Sequence, residues 1–351
     1  MDSKFEDKRQ VQSMCYRRRW KIGLKSTIAA FFFFNVLIFV IQLHINNANT
    51  QPLEKHASFK QKIENTETFK ACEDWTKTGF KQSPPYFLTG VLLVRIYETD
   101  KAKLTTRELR QWLQFMQYAG CEHVYVYDAY HFKDESQYDN IKYFINNGYV
   151  TYIDWSHLAK PYGIAKTQAS AYNHALRVYG KNTTTWQMLT DMDEYVFSSK
   201  DVEPYYLQRY IKNFQAKNEF GSEISINNYL FLGKPSPKED HPYLADRLYR
   251  ITKKKANVLD KQITRVANVR HHGIHHSSLS LGLSIDVDPS ELRLNHYWGA
   301  RLQNWGEDTE EILEKTKLDE SFMPIAARLK ANTHCPPIPD YYTYPVENND
   351  S

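Results

Sequence analysis

Cysteine is scarce in this chain: Cys15, Cys72, Cys121 and Cys335 are the only four in 351 residues. Several catalytic signatures are missing altogether. There is no G-x-x-x-x-G-K-[ST] loop and no G-x-G-x-x-G after a strand, which removes P-loop and dinucleotide-binding readings. G-x-S-x-G is absent too, and this disfavours an α/β-hydrolase. His271, His272, His275 and His276 are crowded together, but no H-E-x-x-H accompanies them. Gly273 breaks any helix that would align two of them on one ion, so a dedicated zinc site is disfavoured. No internal repeat of fixed period runs through the chain.

A basic footprint for nucleic acid is also lacking, although the formal charge is +4. Residues 1–25 hold eight Lys/Arg against three acids, so the other 326 residues are close to neutral. Behind that basic tail comes STIAAFFFFNVLIFVIQLHI, Ser26 to Ile45, without a formal charge. Twenty such residues suffice to cross a bilayer as one helix, and positive charge before the span keeps the N-terminus cytosolic. The expected organisation is a cytosolic tail (1–25), a transmembrane signal anchor (26–45), a polar luminal stem (46–82), a catalytic domain (83–345) and a short tail (346–351). A luminal domain sits in an oxidising compartment, where Cys72 and Cys335 are candidates to pair, while Cys121 reads as a small buried hydrophobe. Asn182-Thr183-Thr184 is an N-glycosylation acceptor.

From Tyr86 onwards, strand-like and helix-like segments alternate. Tyr86–Glu98, His123–Tyr127, Val150–Asp154 and Trp186–Leu189 read as strands, with helices over Thr105–Gly120, Asp139–Asn147 and Lys166–Tyr179. The first helix carries its own start signal, because Glu108 follows Thr105 by three residues as a capping box, and Gly120 stops it. This alternation predicts an α/β fold with a mainly parallel sheet flanked by helices. In such sheets ligands bind at the carboxyl ends of the strands. Glu98, Asp128, Asp154, Asp191 and Asp193 all fall there.

The segment TDMDEYVF, Thr190 to Phe197, sets three carboxylates in four positions directly after an apolar strand. Solvated loops often look like this. Here the apolar Tyr195-Val-Phe197 that follows holds the acids in a fold. Two carboxylates on a divalent ion, with phosphate oxygens and water completing the shell, is how Mg²⁺ or Mn²⁺ carries a nucleotide. A membrane-anchored luminal domain with such a site points to sugar transfer from a nucleotide donor. Lys261 and Arg265, four apart on one face of a strand, are candidates to meet the diphosphate. His296 follows alternating apolar residues and is a candidate metal ligand. Transfer of a sugar to a hydroxyl calls for a carboxylate to take the acceptor's proton. Glu223 is preferred for it, with Glu194 and Glu219 as the others. Two further readings stay open: a catalytically silent luminal carbohydrate-binding protein, and another metal-dependent phosphoester enzyme of the secretory pathway.

The chain resembles the family 92 glycosyltransferases. The resemblance is carried in order by Glu108-x3-Trp112-Leu113, Gly120-Cys-Glu-His-Val-Tyr-Val-Tyr-Asp128, Gln168-x3-Tyr172-Asn173-His174, Asp191-Met-Asp-Glu-Tyr195, Phe220-Gly221-Ser222, Lys261-x3-Arg265 with His275, and Asn295-His296-Tyr297. It implies a GT-A fold, a UDP-sugar donor with galactose first among the sugars, Mn²⁺ (or Mg²⁺), inversion, a glycan acceptor and a Golgi membrane location. By the same likeness Asp191 contacts the donor, Asp193 holds the metal with Asp191 and His296 beside it, and Asp128 lies near the nucleoside. Lys261, Arg265 and His275 complete the donor side.

Overall fold

The structure is a computed structural model, and it describes residues 84–96, 104–158, 164–237, 240–241, 243–256, 260–300 and 306–331. All of these belong to one compact unit of the chain, Phe69–Ser351. The expected tail, anchor and stem, Glu98, and Cys15, Cys72 and Cys335 lie outside the described residues. Among the described residues no helix is long and apolar enough to cross a membrane.

The main sheet has seven strands: β1 (Tyr86–Val94), β2 (His123–Asp128), β3 (Val150–Asp154), β4 (Thr184–Leu189), β6 (Gly221–Ile226), β9 (Lys261–Arg265) and β12 (Leu283–Asp286). Their spatial order is β12-β6-β9-β4-β1-β2-β3. Only β9 runs against the others, pairing antiparallel with both β4 and β6. The expected mainly parallel sheet is therefore present. Nearly every side chain of β1 is buried, as a strand covered on both faces requires.

Helix α1 (Thr106–Ala119) covers one face. Thr105 caps it, with the Glu108 side chain returning to the Thr105 backbone N–H at 2.8 Å, and Gly120 ends it at φ 101°. A Cβ at Gly120 would sit 2.9 Å from the Tyr205 Cα, so glycine is required there for space as well as for conformation. Leu109, Trp112, Leu113 and Met116 form its fully buried stripe against Leu88, Leu92, Val124 and Met188. Each such side chain contributes about 1.5–3 kcal/mol relative to exposure. The short helix α2 (Lys142–Asn146) precedes β3. Helix α3 (Ile164–His174) covers the other face, setting Ala171 and Tyr172 on Val91, Leu93 and Leu189. Helix α4 (Tyr206–Lys217) packs Phe214 edge-on to Trp186.

A second sheet lies outside what the alternating pattern foretold. It is ordered β14-β8-β7-β13-β5, from β5 (Glu194–Phe197), β7 (Asn228–Leu232), β8 (Arg250–Thr252), β13 (Arg293–His296) and β14 (Thr316–Leu318). The same unit holds a hairpin of β10 (Val269–His272) and β11 (Ser277–Leu279) and helices α5 (Glu310–Lys315) and α6 (Met323–Ala331). Tyr195, Phe197, Phe231, Tyr297 and Phe322 form a buried aromatic block beneath this sheet. That block is the anchor for the chain leaving the acidic segment. Cys121 is buried, as expected of a small hydrophobe.

Candidate active site

Strand β4 ends at Leu189, and the chain then turns through Thr190, Asp191, Met192 and Asp193 into β5. The turn is closed from within. The Asp191 N–H donates to Glu194 Oε2 at 2.8 Å, and the Glu194 N–H donates to the Asp191 carbonyl at 3.1 Å. From α1, the Trp112 indole N–H donates to the Glu194 carbonyl at 3.2 Å. On the far side β13 pairs antiparallel with β5 and sets His296 opposite Glu194. The Tyr297 N–H then donates to the Asp193 carbonyl at 2.9 Å.

These pairings gather five titratable side chains. His296 Nε2 lies 3.2 Å from Asp193 Oδ2, and its Nδ1 lies 3.6 Å from Glu194 Oε1 and 3.3 Å from the Asn228 amide nitrogen. Lys261 Nζ lies 3.0 Å from Asp191 Oδ2 and 3.3 Å from Glu194 Oε2. Asp191 Oδ1 accepts from Gln168 Nε2 at 2.6 Å. Asp191 is the open member, its side chain 30% exposed, whereas those of Asp193, Glu194 and Lys261 are almost wholly covered.

Burial of this kind penalises charge, and the groups answer it pairwise. Burial alone would lower Lys261, but Asp191 and Glu194 outweigh it and hold the ammonium well above its ordinary pKa. Burial pushes the Glu194 carboxyl up against the pull of Lys261. Burial likewise opposes the charged form of His296, yet Asp193 and Glu194 raise it above its ordinary range.

Residues 102–331 match the model of Glycosyltransferase family 92. The chain belongs to this family. A search of curated proteins finds no match. Solved structures give loose likenesses: S. aureus TarS 1-349 (11% identity, 71% of this chain and 73% of that chain, TM-score 0.35), its complex with UDP (11%, 61% and 62%, 0.34), and the apo form of mouse xyloside xylosyltransferase 1 (8%, 52% and 67%, 0.26).

Of the residues singled out from the sequence, Asp191, Asp193, Glu194, Lys261 and His296 converge. His275 stands half-buried beside them, Nδ1 3.3 Å from the Asp260 carbonyl, its pKa lowered by burial and by Lys261. The remaining residues fall elsewhere. Arg265 pairs with Trp186 near the start of β4, whereas Lys261 lies beyond Leu189 at its end. Sharing a face leaves the two cations about 13 Å apart along the strand, so they do not act as a pair on one diphosphate. Lys261, moreover, is already engaged by two carboxylates.

Glu223 stands three residues before Ile226, the position that pairs with Lys261, which is about 10 Å back along β6. Its oxygens accept from the Ser277 N–H at 3.0 Å and the Ser284 hydroxyl at 2.7 Å. Glu219 is exposed before β6, at the opposite end from the acidic turn. Neither is placed to serve an acceptor at the turn. Asp128 does end β2, but its Oδ2 is taken by the Gln137 N–H (2.6 Å) and the Tyr152 hydroxyl (2.9 Å). Burial pushes that carboxyl up to about 6. The histidine run is divided between β10, which ends at His272, and the turn that leads to β11. His272 is spent internally on Ser277 Oγ (2.8 Å) and Gln187 Oε1 (3.2 Å).

Two residues that touch the turn, Gln168 and Trp112, and one that precedes Lys261 in the chain, Asp260, have no role assigned from the sequence. Gln168 sits inside a family-like segment, and its signal was a polar side chain on the apolar face of α3. Trp112 reads as core alone. Asp260 immediately precedes β9; it is 6% exposed, and its Oδ1 accepts no hydrogen bond among the described residues.

Among the described residues no three His, Cys, Asp or Glu side chains are grouped as ligands for one ion. Asp193 and His296 nevertheless offer a carboxylate and an imidazole 3.2 Å apart. Adjacent donors on a six-coordinate Mg²⁺ or Mn²⁺ stand about 3 Å apart, and such ions take one or two protein ligands when phosphates supply the rest. The pair fits a nucleotide-borne divalent ion that displaces the proton His296 shares with Asp193.

Proposed function

We propose that this family 92 glycosyltransferase is a Golgi type II membrane enzyme with a GT-A-type catalytic domain, which transfers galactose from UDP-galactose to a glycan acceptor with inversion, using Mn²⁺. The observation that supports it best is the convergence of Asp191, Asp193, Glu194 and His296 at the carboxyl end of β4. That is where an α/β sheet binds its ligand.

In this reading Asp193 and His296 hold the ion, which when bound supplies positive charge beside the departing diphosphate. Asp191, the exposed member, orients the donor and is itself steered by Gln168. Asp260 takes the acceptor hydroxyl's proton. It is preferred over Glu223 and Glu219 because it precedes Lys261 at the end of β9 that meets the acidic turn, and over Glu194 because that side chain already meets Lys261 and His296. Among the described residues Asp260 Oδ1 accepts no hydrogen bond, and that unmet polar atom is what favours Asp260 for the role.

The purified full chain, incubated with a panel of UDP-sugars with and without Mn²⁺, tests the reading through UDP release and UDP binding. Metal-dependent release, strongest from UDP-galactose, is the expected result. A folded chain that binds no UDP in Mn²⁺ overturns it. Asp260→Asn should lower transfer about 100-fold or more while leaving UDP binding intact; unchanged transfer removes Asp260 from the role.

A further inference from the structure

Lys261 is the one ammonium in the acidic cluster among the described residues, and its tip is held between two carboxylates. Its side chain is 1% exposed, with Nζ 3.0 Å from Asp191 Oδ2 and 3.3 Å from Glu194 Oε2. Glu194 Oε2 in turn accepts the Asp191 backbone N–H. Carboxylate, ammonium, carboxylate and amide thus close a ring around the turn. The root of Lys261 is fixed as firmly as its tip. It pairs with Ile226 on one side, and the next residue, Gln262, pairs with Leu189 on the other.

Charge explains what the ring is for. Asp191, Asp193 and Glu194 bring three negative charges into four residues, and two of the three are buried. Without a fixed cation these carboxylates would repel one another or gather whatever metal is available. With His296 neutral, as a metal ligand must be, one ammonium leaves two negative charges, which one divalent ion matches. Resting on the metal-dependent transferase reading, we infer that Lys261 is a built-in counter-ion rather than a diphosphate contact. It is a positioning residue that keeps Asp191 and Glu194 out of metal coordination and reserves the divalent ion for Asp193 and His296. Asp191 is thereby held in place for the donor.

The test titrates Mn²⁺ alone, without nucleotide, into the full-length protein and follows free Mn²⁺ by electron paramagnetic resonance. Lys261→Met should bind Mn²⁺ about tenfold more tightly than the wild type or gain a second equivalent, because two carboxylates are released. Donor turnover should fall about 100-fold through kcat, since Asp191 is no longer held. Lys261→Arg, which keeps the charge, should return Mn²⁺ binding towards the wild-type value. Unchanged or weaker Mn²⁺ binding in Lys261→Met, joined to a loss of UDP affinity, overturns the proposal in favour of a diphosphate contact.

Melting in EDTA judges the counter-ion without any metal or donor. The double variant Lys261→Met/Glu194→Gln should melt above Lys261→Met, because it removes the carboxylate left stranded. A double variant no more stable than the single one overturns the counter-ion. A wild type that binds neither Mn²⁺ nor UDP would refute the transferase reading, while the melting comparison still decides the role of Lys261.

Discussion

The indole nitrogen of Trp112 lies 3.2 Å from the backbone carbonyl oxygen of Glu194, so a helix more than eighty residues upstream holds the acidic turn. Trp112 is fully buried on α1 and bears on Met188 and Val196 through the same core. Phenylalanine at this position keeps much of the packing and removes the donor. Trp112→Phe should cost about 1–2 kcal/mol in denaturant unfolding, since a buried carbonyl loses its partner. UDP release should fall by more than this stability loss alone predicts, because the turn loses an anchor. Trp112→Ala adds a cavity, and about 3–5 kcal/mol is expected.

Asp193 and His296 offer the next prediction. The approach of Asp193 Oδ2 to His296 Nε2 depends on the β5–β13 pairing, whose backbone bonds survive side-chain changes. Asp193→Ala and His296→Ala should each lower Mn²⁺-dependent UDP release about 100-fold or more, with circular dichroism unchanged. Full activity in a folded Asp193→Ala variant would exclude a metal role for this residue.

The contrast between Lys261 and Arg265 shows where sequence reasoning holds and where it stops. Long strands were legible from β-branched and aromatic runs, and α1 from its capping box, because those signals are local. The acidic turn was legible because three charges directly after an apolar run demand a reason. What joins the turn is set by pairing across long sequence gaps. His296 reaches Glu194 through the register of β13 against β5, which no local pattern encodes. The second sheet escaped for the same reason, its strands being three to five residues long. Glu223 illustrates the limit well. Its residue type suits a base, and only the register of β6 against β9 shows it standing back from the strand end.

That placement gives Glu223 and Arg265 a negative prediction. Glu223 ties the Ser277 N–H of β11 to the Ser284 hydroxyl of β12. Glu223→Gln should destabilise by about 1–3 kcal/mol, the cost of replacing a charged acceptor in a buried setting. Its turnover at a temperature where it is folded should stay within about twofold of wild type, as should that of Arg265→Ala. A 100-fold loss in either would return that residue to the chemistry.

The pH dependence of stability follows from three groups away from the acidic turn. Burial lowers His123 to about 4 and His272 to about 3, from an ordinary 6.5. Both bind their protons more weakly in the folded chain, so the stability each contributes is complete above pH 6.5 and falls as pH drops from there towards 4. Asp128 runs the other way. Its carboxyl rises from 3.8 to about 6, so the folded chain keeps a proton that the unfolded chain has lost. Its contribution is complete below 3.8 and is lost as pH rises through 6. Near pH 5 the unfolded chain gains two protons from the histidines and the folded chain one from Asp128. For these three groups stability should therefore fall by about 1.4 kcal/mol per unit of acidification, one proton's worth. Asp128→Asn removes the opposing group, and the slope should steepen to about 2.7 kcal/mol per unit. His272→Gln should reduce it towards zero. Denaturant midpoints measured between pH 4.5 and 6 check this, and equal slopes in all three proteins would rule out these buried groups as its source.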